Sequence, residues 1–341
     1  MIIDLICSTV NNLFYVLTYM INGILLDAKG ELIMIFLAYS IVCLIFATTF
    51  LAIKIGVDTG VPPFFSAGLR FFLAGLILFL WMVWKRKATF SLLLRKEMLI
   101  TGAALTFGTF SALYWAEQYV SSGLAAVLSA TGPIMILLLQ TLFLRQKSPT
   151  HSLYGCLIGF VGVLILVLPN LSLNISSLWV IGCIVVLIGE LGYASGTLYS
   201  KKVIATFPRV SPIALNAAQM LYGGALMLVL SLFTEKVHVN LLFSFKAAGS
   251  LLYLIVIGSM VGHSLYYWLV AKTNPVFPAT WLYVSPPIAV GVGVLFYNEK
   301  VSWITLFGVA TIILGTVLVN GSALKQLIQK PSLRVPTTKK I

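Results

Sequence analysis

Between residues 33 and 321 the chain is a succession of ten mostly apolar runs: 33–54, 64–84, 98–118, 122–144, 152–169, 178–199, 212–233, 248–270, 277–297 and 302–321. Each comes close to the ~20 residues that a helix needs to cross the hydrocarbon of a bilayer. Runs of this length are too long for strands. In lipid only a helix or a closed barrel satisfies its own backbone polar groups. The expected fold class is therefore all-α, an integral membrane protein of ten transmembrane helices. Composition agrees: 60% of residues are hydrophobic and 9% charged, against roughly a quarter charged in a soluble domain.

The runs are not ten independent helices. Ser111–Gly162 recurs without a gap at Ser264–Gly315, an offset of 153 residues. Tyr114-Trp115 meets Tyr267-Trp268, Pro133 meets Pro286, Lys147 meets Lys300, and Gly155 and Gly162 meet Gly308 and Gly315. A weaker upstream echo pairs Pro63 with Pro212, Gly75 with Gly224 and Lys54 with Lys201. A period this long marks two related halves. The expected organisation is an N-terminal cytoplasmic or interfacial arm (1–32), a first repeat (33–170), a second repeat (177–321) and a basic tail (322–341). Five helices per half is an odd number, so the second half enters the membrane from the opposite side. Such inverted repeats suit alternating access, with a solute site near midplane between the halves.

The net charge of +13 follows the same layout. Lys85, Arg86, Lys87, Arg95 and Lys96 lie between runs 2 and 3, Arg145 and Lys147 between 4 and 5, and Lys201, Lys202 and Arg209 between 6 and 7. Lys272 follows run 8, the tail holds five more cations, and Lys29 precedes run 1. Lys54, Lys236, Lys246 and Lys300 fall on the other side. The cation-rich side is expected to be cytoplasmic, with both termini there, in a multi-pass protein of the cell membrane. Short basic loops of this kind do not indicate nucleic acid. The expected partners are the lipid bilayer, a small-molecule substrate, protons as a coupling ion, and a second copy of the chain as a homodimer. Cys7, Cys43, Cys156 and Cys183 have no paired spacing, and three of them sit inside apolar runs, where they serve as small packing residues. No metal-ligand cluster, nucleotide-cradling loop or catalytic triad is visible. No cofactor, metal or enzymatic activity is expected, and transport would be secondary.

The candidate site residues are polar groups placed where polarity is costly. Glu190 lies near the middle of run 6, in Ile188-Gly189-Glu190-Leu191-Gly192-Tyr193. A lone carboxylate there faces a cavity or holds a proton. It is read as a proton carrier or a contact for a cationic group, against the alternative of a neutral acid bonded to a neighbouring helix. Arg70, about two turns into run 2, suits a substrate carboxylate or a buried carbonyl; its echo is Gln219. His263 in run 8 is a relay or a packing histidine. Tyr193 follows Glu190 by one turn. Tyr114, Trp115, Tyr267 and Trp268 are cavity walls or interface-belt residues. Pro133 and Pro286 are expected to bend their helices. Gly155 to Gly162 and Gly308 to Gly315 set small residues on one helix face, for tight contact between helices or across a dimer seam. Glu117 at the end of run 3 is expected to be solvated, and Glu299 and Lys300 to cap a helix-end turn.

Taken together, Ser121-Ser122-Gly123-Leu124-Ala125-Ala126, Pro133, the basic-polar turn after it and the glycines at 155 and 162 resemble the EamA family of the drug/metabolite transporter superfamily. The second copy, with Pro286, Asn298-Glu299-Lys300, Gly308 and Gly315, is similar, and so is Pro63 through Arg70 to Gly75. Gln146 stands where the family usually has a glutamate that Glu299 keeps. The resemblance implies export of small metabolites, amino acids or toxic organic solutes, often driven by the proton gradient, with uptake or exchange as the alternative direction. A non-transporting scaffold is the reading from another class.

Overall fold

A computed structural model describes residues 28–143, 145, 150–167, 176–237, 239–288 and 302–329. The main helical segments among these residues are, in order, α1 Ala28–Asp58, α2 Pro63–Trp84, α3 Lys96–Ala116, α4 Ser122–Leu142, α5 Thr150–Val167, α6 Ser177–Thr206, α7 Pro212–Thr234, α8 Phe245–Lys272, α9 (a turn at Val276–Ala279 and a run at 281–288) and α10 Trp303–Gln329. Among the described residues there is no strand. Seven of these segments are long and apolar enough to span a bilayer, and α5 and α10 carry shorter apolar stretches, Thr150–Leu166 and Trp303–Val319. The arm up to residue 27, Gln146, Lys147, Glu299, Lys300 and the tail from 330 lie outside the described residues. So does most of the second half of the ninth predicted run.

Helix starts are written locally. Ser121, Ser176, Ser211 and Ser244 each accept a backbone N–H of the first turn, from Leu124, Trp179, Ile213 and Ala247, which satisfies donors that a helix leaves open. Pro63 and Pro212 open α2 and α7, where a missing N–H costs nothing. At α2 the cap comes from a distance: the Glu235 carboxylate accepts the N–H of Phe64 and of Phe65, both at 2.8 Å.

The echo in the sequence becomes packing. Counterpart helices lie antiparallel on one another. In α2 and α7, a Cβ at Gly75 would meet Ala217 O at 2.9 Å, and one at Gly68 would meet Leu228 N at 2.8 Å. In α5 and α10, a Cβ at Gly155 would meet Val319 N at 2.7 Å, and one at Gly162 would meet Ile312 N at 2.7 Å. The glycine faces of α5 and α10 therefore close on each other within one chain. The remaining contacts exchange between halves. α3 packs on α6 through Gly189, Gly192 and Gly196, whereas α8 packs on α1 through Gly258 and Gly262. Both α3 and α8 contain a π-helical stretch, Gly102–Gly108 and Leu254–His263, at nearly equivalent places in the repeat. Wide turns of this kind are frequent at functional sites.

Several boundaries differ from the sequence reading. α1 begins at Ala28, so residues 28–32 are helical rather than part of an arm. α6 continues to Thr206 and α10 to Gln329, because polar residues of good helix propensity extend a helix past the apolar run. α4 is broken rather than bent: one helix ends at Ser129 and another starts at Gly132. Pro133 thus stands in a first turn, where it breaks no backbone bond. Pro286 lies buried in the run 281–288.

Candidate functional site

The tight α3–α6 contact aims the next residues of α6 inward. Gly189 lets the Ala112 side chain within 2.8 Å of where its own Cβ would stand, and Gly196 does the same for Leu105 N at 2.6 Å. Glu190 and Tyr193, on the adjoining face, line a narrow cavity. The cavity lies where α1, α2, α3, α4, α6, α8 and α9 meet, between the two halves.

Two ionisable side chains, an acid and a base, face it. Glu190 is buried; Ser129 hydrogen-bonds its carboxylate, and Oε2 has no hydrogen-bond partner. Room for that oxygen comes from the break in α4, since a Cβ at Gly132 would stand 2.7 Å from it. Arg70 is 1% exposed. Its Nε donates to Ser259 Oγ at 2.8 Å and its Nη1 to Tyr114 Oη at 3.1 Å. The guanidinium lies 4.5 Å from the Phe71 ring centre and 5.3 Å from that of Phe110, a favourable placement for a cation. Ion pairs among the described residues are Lys54–Asp58 and Lys272–Glu31, and neither reaches Arg70. A buried guanidinium with two of its five donors so engaged can receive an anionic group.

Aromatic rings form the walls between these two side chains. His263 packs against Phe46, Phe71 and Phe110 with ring centres 5.1, 5.5 and 5.4 Å apart. Tyr193 donates to Tyr266 at 2.8 Å and accepts from Trp281 Nε1 at 3.3 Å. Phe46, Phe50, Phe110 and Trp281 complete the lining.

Of the residues singled out from sequence, Glu190, Arg70, His263 and Tyr193 meet at this cavity. Tyr114 stands behind it as a partner of Arg70. The others go elsewhere. Trp115 stacks on Tyr119 at 5.0 Å and lines a second hollow, of about 920 Å³, at the Asp58 end of the molecule. Tyr267 is buried and bonded to Ser200. Trp268 is buried beneath Lys272, whose ammonium is 6.0 Å from its ring. Gln219 accepts from Thr106 at 2.6 Å and donates to Asn216 at 3.0 Å, which ties α7 to α3. Glu117 is fully buried, not solvated. It lies one turn past Tyr114, and the Lys54 ammonium holds its backbone carbonyl at 2.9 Å. The sequence reading missed Tyr266, Trp281, Phe46, Phe50 and Phe110. For α1 a signal existed: Phe46, Thr49, Phe50 and Ile53 repeat at helical spacing on one face. Tyr266 lost out to its neighbour Tyr267 because only the latter has an echo in the first half.

A profile of the EamA-like transporter family matches residues 32–168 and 180–321. An uncharacterized inner membrane transporter of Escherichia coli (strain K12), YedA, is 30% identical over 294 residues, covering 85% of this chain and 92% of that one. The protein PagO of Salmonella typhimurium is 28% identical, covering 82% and 90%. The uncharacterized transporter YoaV of Bacillus subtilis is 27% identical, covering 82% and 91%. A protein of known crystal structure superposes with a TM-score of 0.68 at 17% identity, over 84% of this chain and 98% of that one, a likeness of fold.

Proposed function

The chain belongs to the EamA-like transporter family, a membrane transporter rather than an enzyme, and on that premise we propose that it is a proton-coupled secondary transporter exporting a small amphipathic metabolite such as an amino acid. Ten transmembrane helices form two inverted five-helix repeats, 33–170 and 177–321, with both termini cytoplasmic. The observation that carries the reading is the pairing in one cavity of Glu190, with a free carboxylate oxygen, and Arg70, with no carboxylate of its own. In lipid such groups are retained for function. In this reading Arg70 takes the solute's carboxylate and Glu190 either its ammonium or the coupled proton. The rings of Phe46, Phe110, Tyr266 and Trp281 cover its apolar part, and Pro133 places the start of the second half of α4 beside Glu190. Antiparallel packing of counterpart helices supports the inverted topology, because a two-fold axis in the membrane plane produces that packing.

Counterflow in proteoliposomes tests this, with labelled amino acids and organic cations as the panel. Saturable exchange in the parent, with its pH dependence lost in Glu190→Gln, is the expected result. A Glu190→Gln variant with unchanged pH-dependent flux would overturn the coupling role. Silence across the panel would move the substrate to another metabolite class, or the chain to a scaffold. Flux followed in both directions separates export from uptake or exchange.

A further inference from the structure

A second buried acid lies outside the central cavity. Glu117 ends α3, one residue beyond the last residue of the span, and is 0% exposed. Neither of its carboxyl oxygens has a hydrogen-bond partner. Above it the Lys54 ammonium donates 2.9 Å to the backbone carbonyl of Glu117 and pairs with Asp58 Oδ1, also at 2.9 Å. The cation thus grips the helix end and an exposed aspartate, while the carboxyl beneath is left alone. The charged and titratable groups that bear on it are Lys54 and Asp58 from α1, Arg70 from α2, and Tyr114 one turn earlier on α3. Burial pushes the Glu117 carboxyl well above the usual carboxylate range, with Lys54 and Arg70 pulling it partly back. Its neighbours Trp115, Gln118 and Tyr119 line the 920 Å³ hollow, which also reaches Val57, Gly60 and Glu235.

The other end of the molecule supplies the comparison. Lys201 is the echo of Lys54, and Val270 is the echo of Glu117. Lys201 Nζ donates to the backbone carbonyl of Val270 at 2.8 Å, and also to those of Ala271 and Thr273, both at 2.9 Å. The same lysine cap closes α8 onto α6 as closes α3 onto α1. At the position equivalent to Glu117 this second cap carries the apolar Val270.

We propose that Glu117 is a proton-binding site that latches the Asp58 end of the molecule. With its proton in place the carboxyl stays sealed under the Lys54 cap. When the proton leaves, the buried carboxylate has no hydrogen-bond donor of its own, and its need for water loosens the α1–α3 contact at this end. The Lys201 cap has Val270 in the place of that acid. The latch is separate from the solute reading of the central cavity and does not require Glu190 to carry a proton.

The test uses the full chain in lipid nanodiscs. Infrared difference spectra across a pH titration follow the carbonyl stretch of protonated acids. We expect a component that persists above the ordinary glutamate value of about 4.3, is absent in Glu117→Gln and is retained in Glu190→Gln. Lys54→Met should shift that component to higher pH, since it removes a cation that favours the carboxylate. Hydrogen exchange reads the latch itself. After correction for intrinsic rates, peptides around 54–60 and 115–121 should exchange several-fold faster as the acid ionises, and Glu117→Gln should abolish that rise. Spectra of Glu117→Gln that match the parent throughout would overturn the proton site. An equal pH response of exchange in Glu117→Gln and parent would overturn the latch.

Discussion

Gly155→Ala isolates the energetics of the α5–α10 seam. The new methyl would stand 2.7 Å from Val319 N, 2.8 Å from Gly315 O and 2.8 Å from Val319 Cγ2. Ordinary contact begins at 3.4 Å, so the approach is about 0.7 Å too close, and two of the three neighbours are backbone. No rotamer change relieves that; the helices must separate. Overpacking of this kind costs about 1–3 kcal/mol, with backbone obstruction toward the upper end. Alanine returns up to about 1 kcal/mol of helix propensity over glycine. The net expectation is a loss of about 1–2 kcal/mol. Gly249→Ala is the matched control, since nothing lies within 4 Å of its Cβ position; it should leave stability unchanged or raise it. Thermal unfolding in detergent, followed by size-exclusion fluorescence, should place Gly155→Ala a few degrees below the parent and Gly249→Ala at or above it. Adding Gly162→Ala to Gly155→Ala should cost less than the sum, because the first substitution has already opened the seam. If Gly155→Ala melts at or above the parent, close packing is not what holds this pair together.

Three further outcomes follow from the same geometry. Lys201→Met removes a cation from the carbonyls of Val270, Ala271 and Thr273, and should cost about 1.5–3 kcal/mol, read by the same melting assay. Arg70→Lys keeps the charge but loses the fork that holds Ser259 and Tyr114 together; about tenfold weaker solute exchange in counterflow is expected. The native state keeps a proton on Glu117 that an unfolded glutamate gives up near pH 4.3. Its contribution to stability is therefore complete below that pH and is lost as pH rises toward the raised native value. Glu117→Gln should flatten that limb of a melting-temperature profile against pH.

The parts of the fold legible in the sequence were those governed by long, uniform patterns. Apolar run length gave the helices, and the offset of 153 gave counterpart pairs that now lie face to face. Charge buried in an apolar run picked out Glu190 and Arg70, since few environments tolerate either there. The aromatic recurrence misled because it is a symmetric signal, while the cavity is lined unsymmetrically. Tyr114 serves Arg70, but its echo Tyr267 serves Ser200. Tyr266 and Trp281 reach the cavity through contacts between α6, α8 and α9 that no local pattern records. Glu117 was misjudged for a related reason. Its position at a helix end predicts water, but tertiary packing buries it, and the Lys54 that bonds its backbone carbonyl comes from another helix.

The antiparallel seams make the chain its own mirror partner. A helix packed on its counterpart meets the repeated residues in reverse order: Gly155 faces Gly315, the echo of Gly162, and Gly162 faces Gly308, the echo of Gly155. Enlargement on one side of an ordinary contact can be answered by shrinkage on the other. Here both sides are glycine, and nothing smaller exists to answer with. The two halves differ at the cavity, where the counterpart of Glu190 in the first repeat is Cys43, and they keep the same glycines at 155, 162, 308 and 315, where two backbones touch.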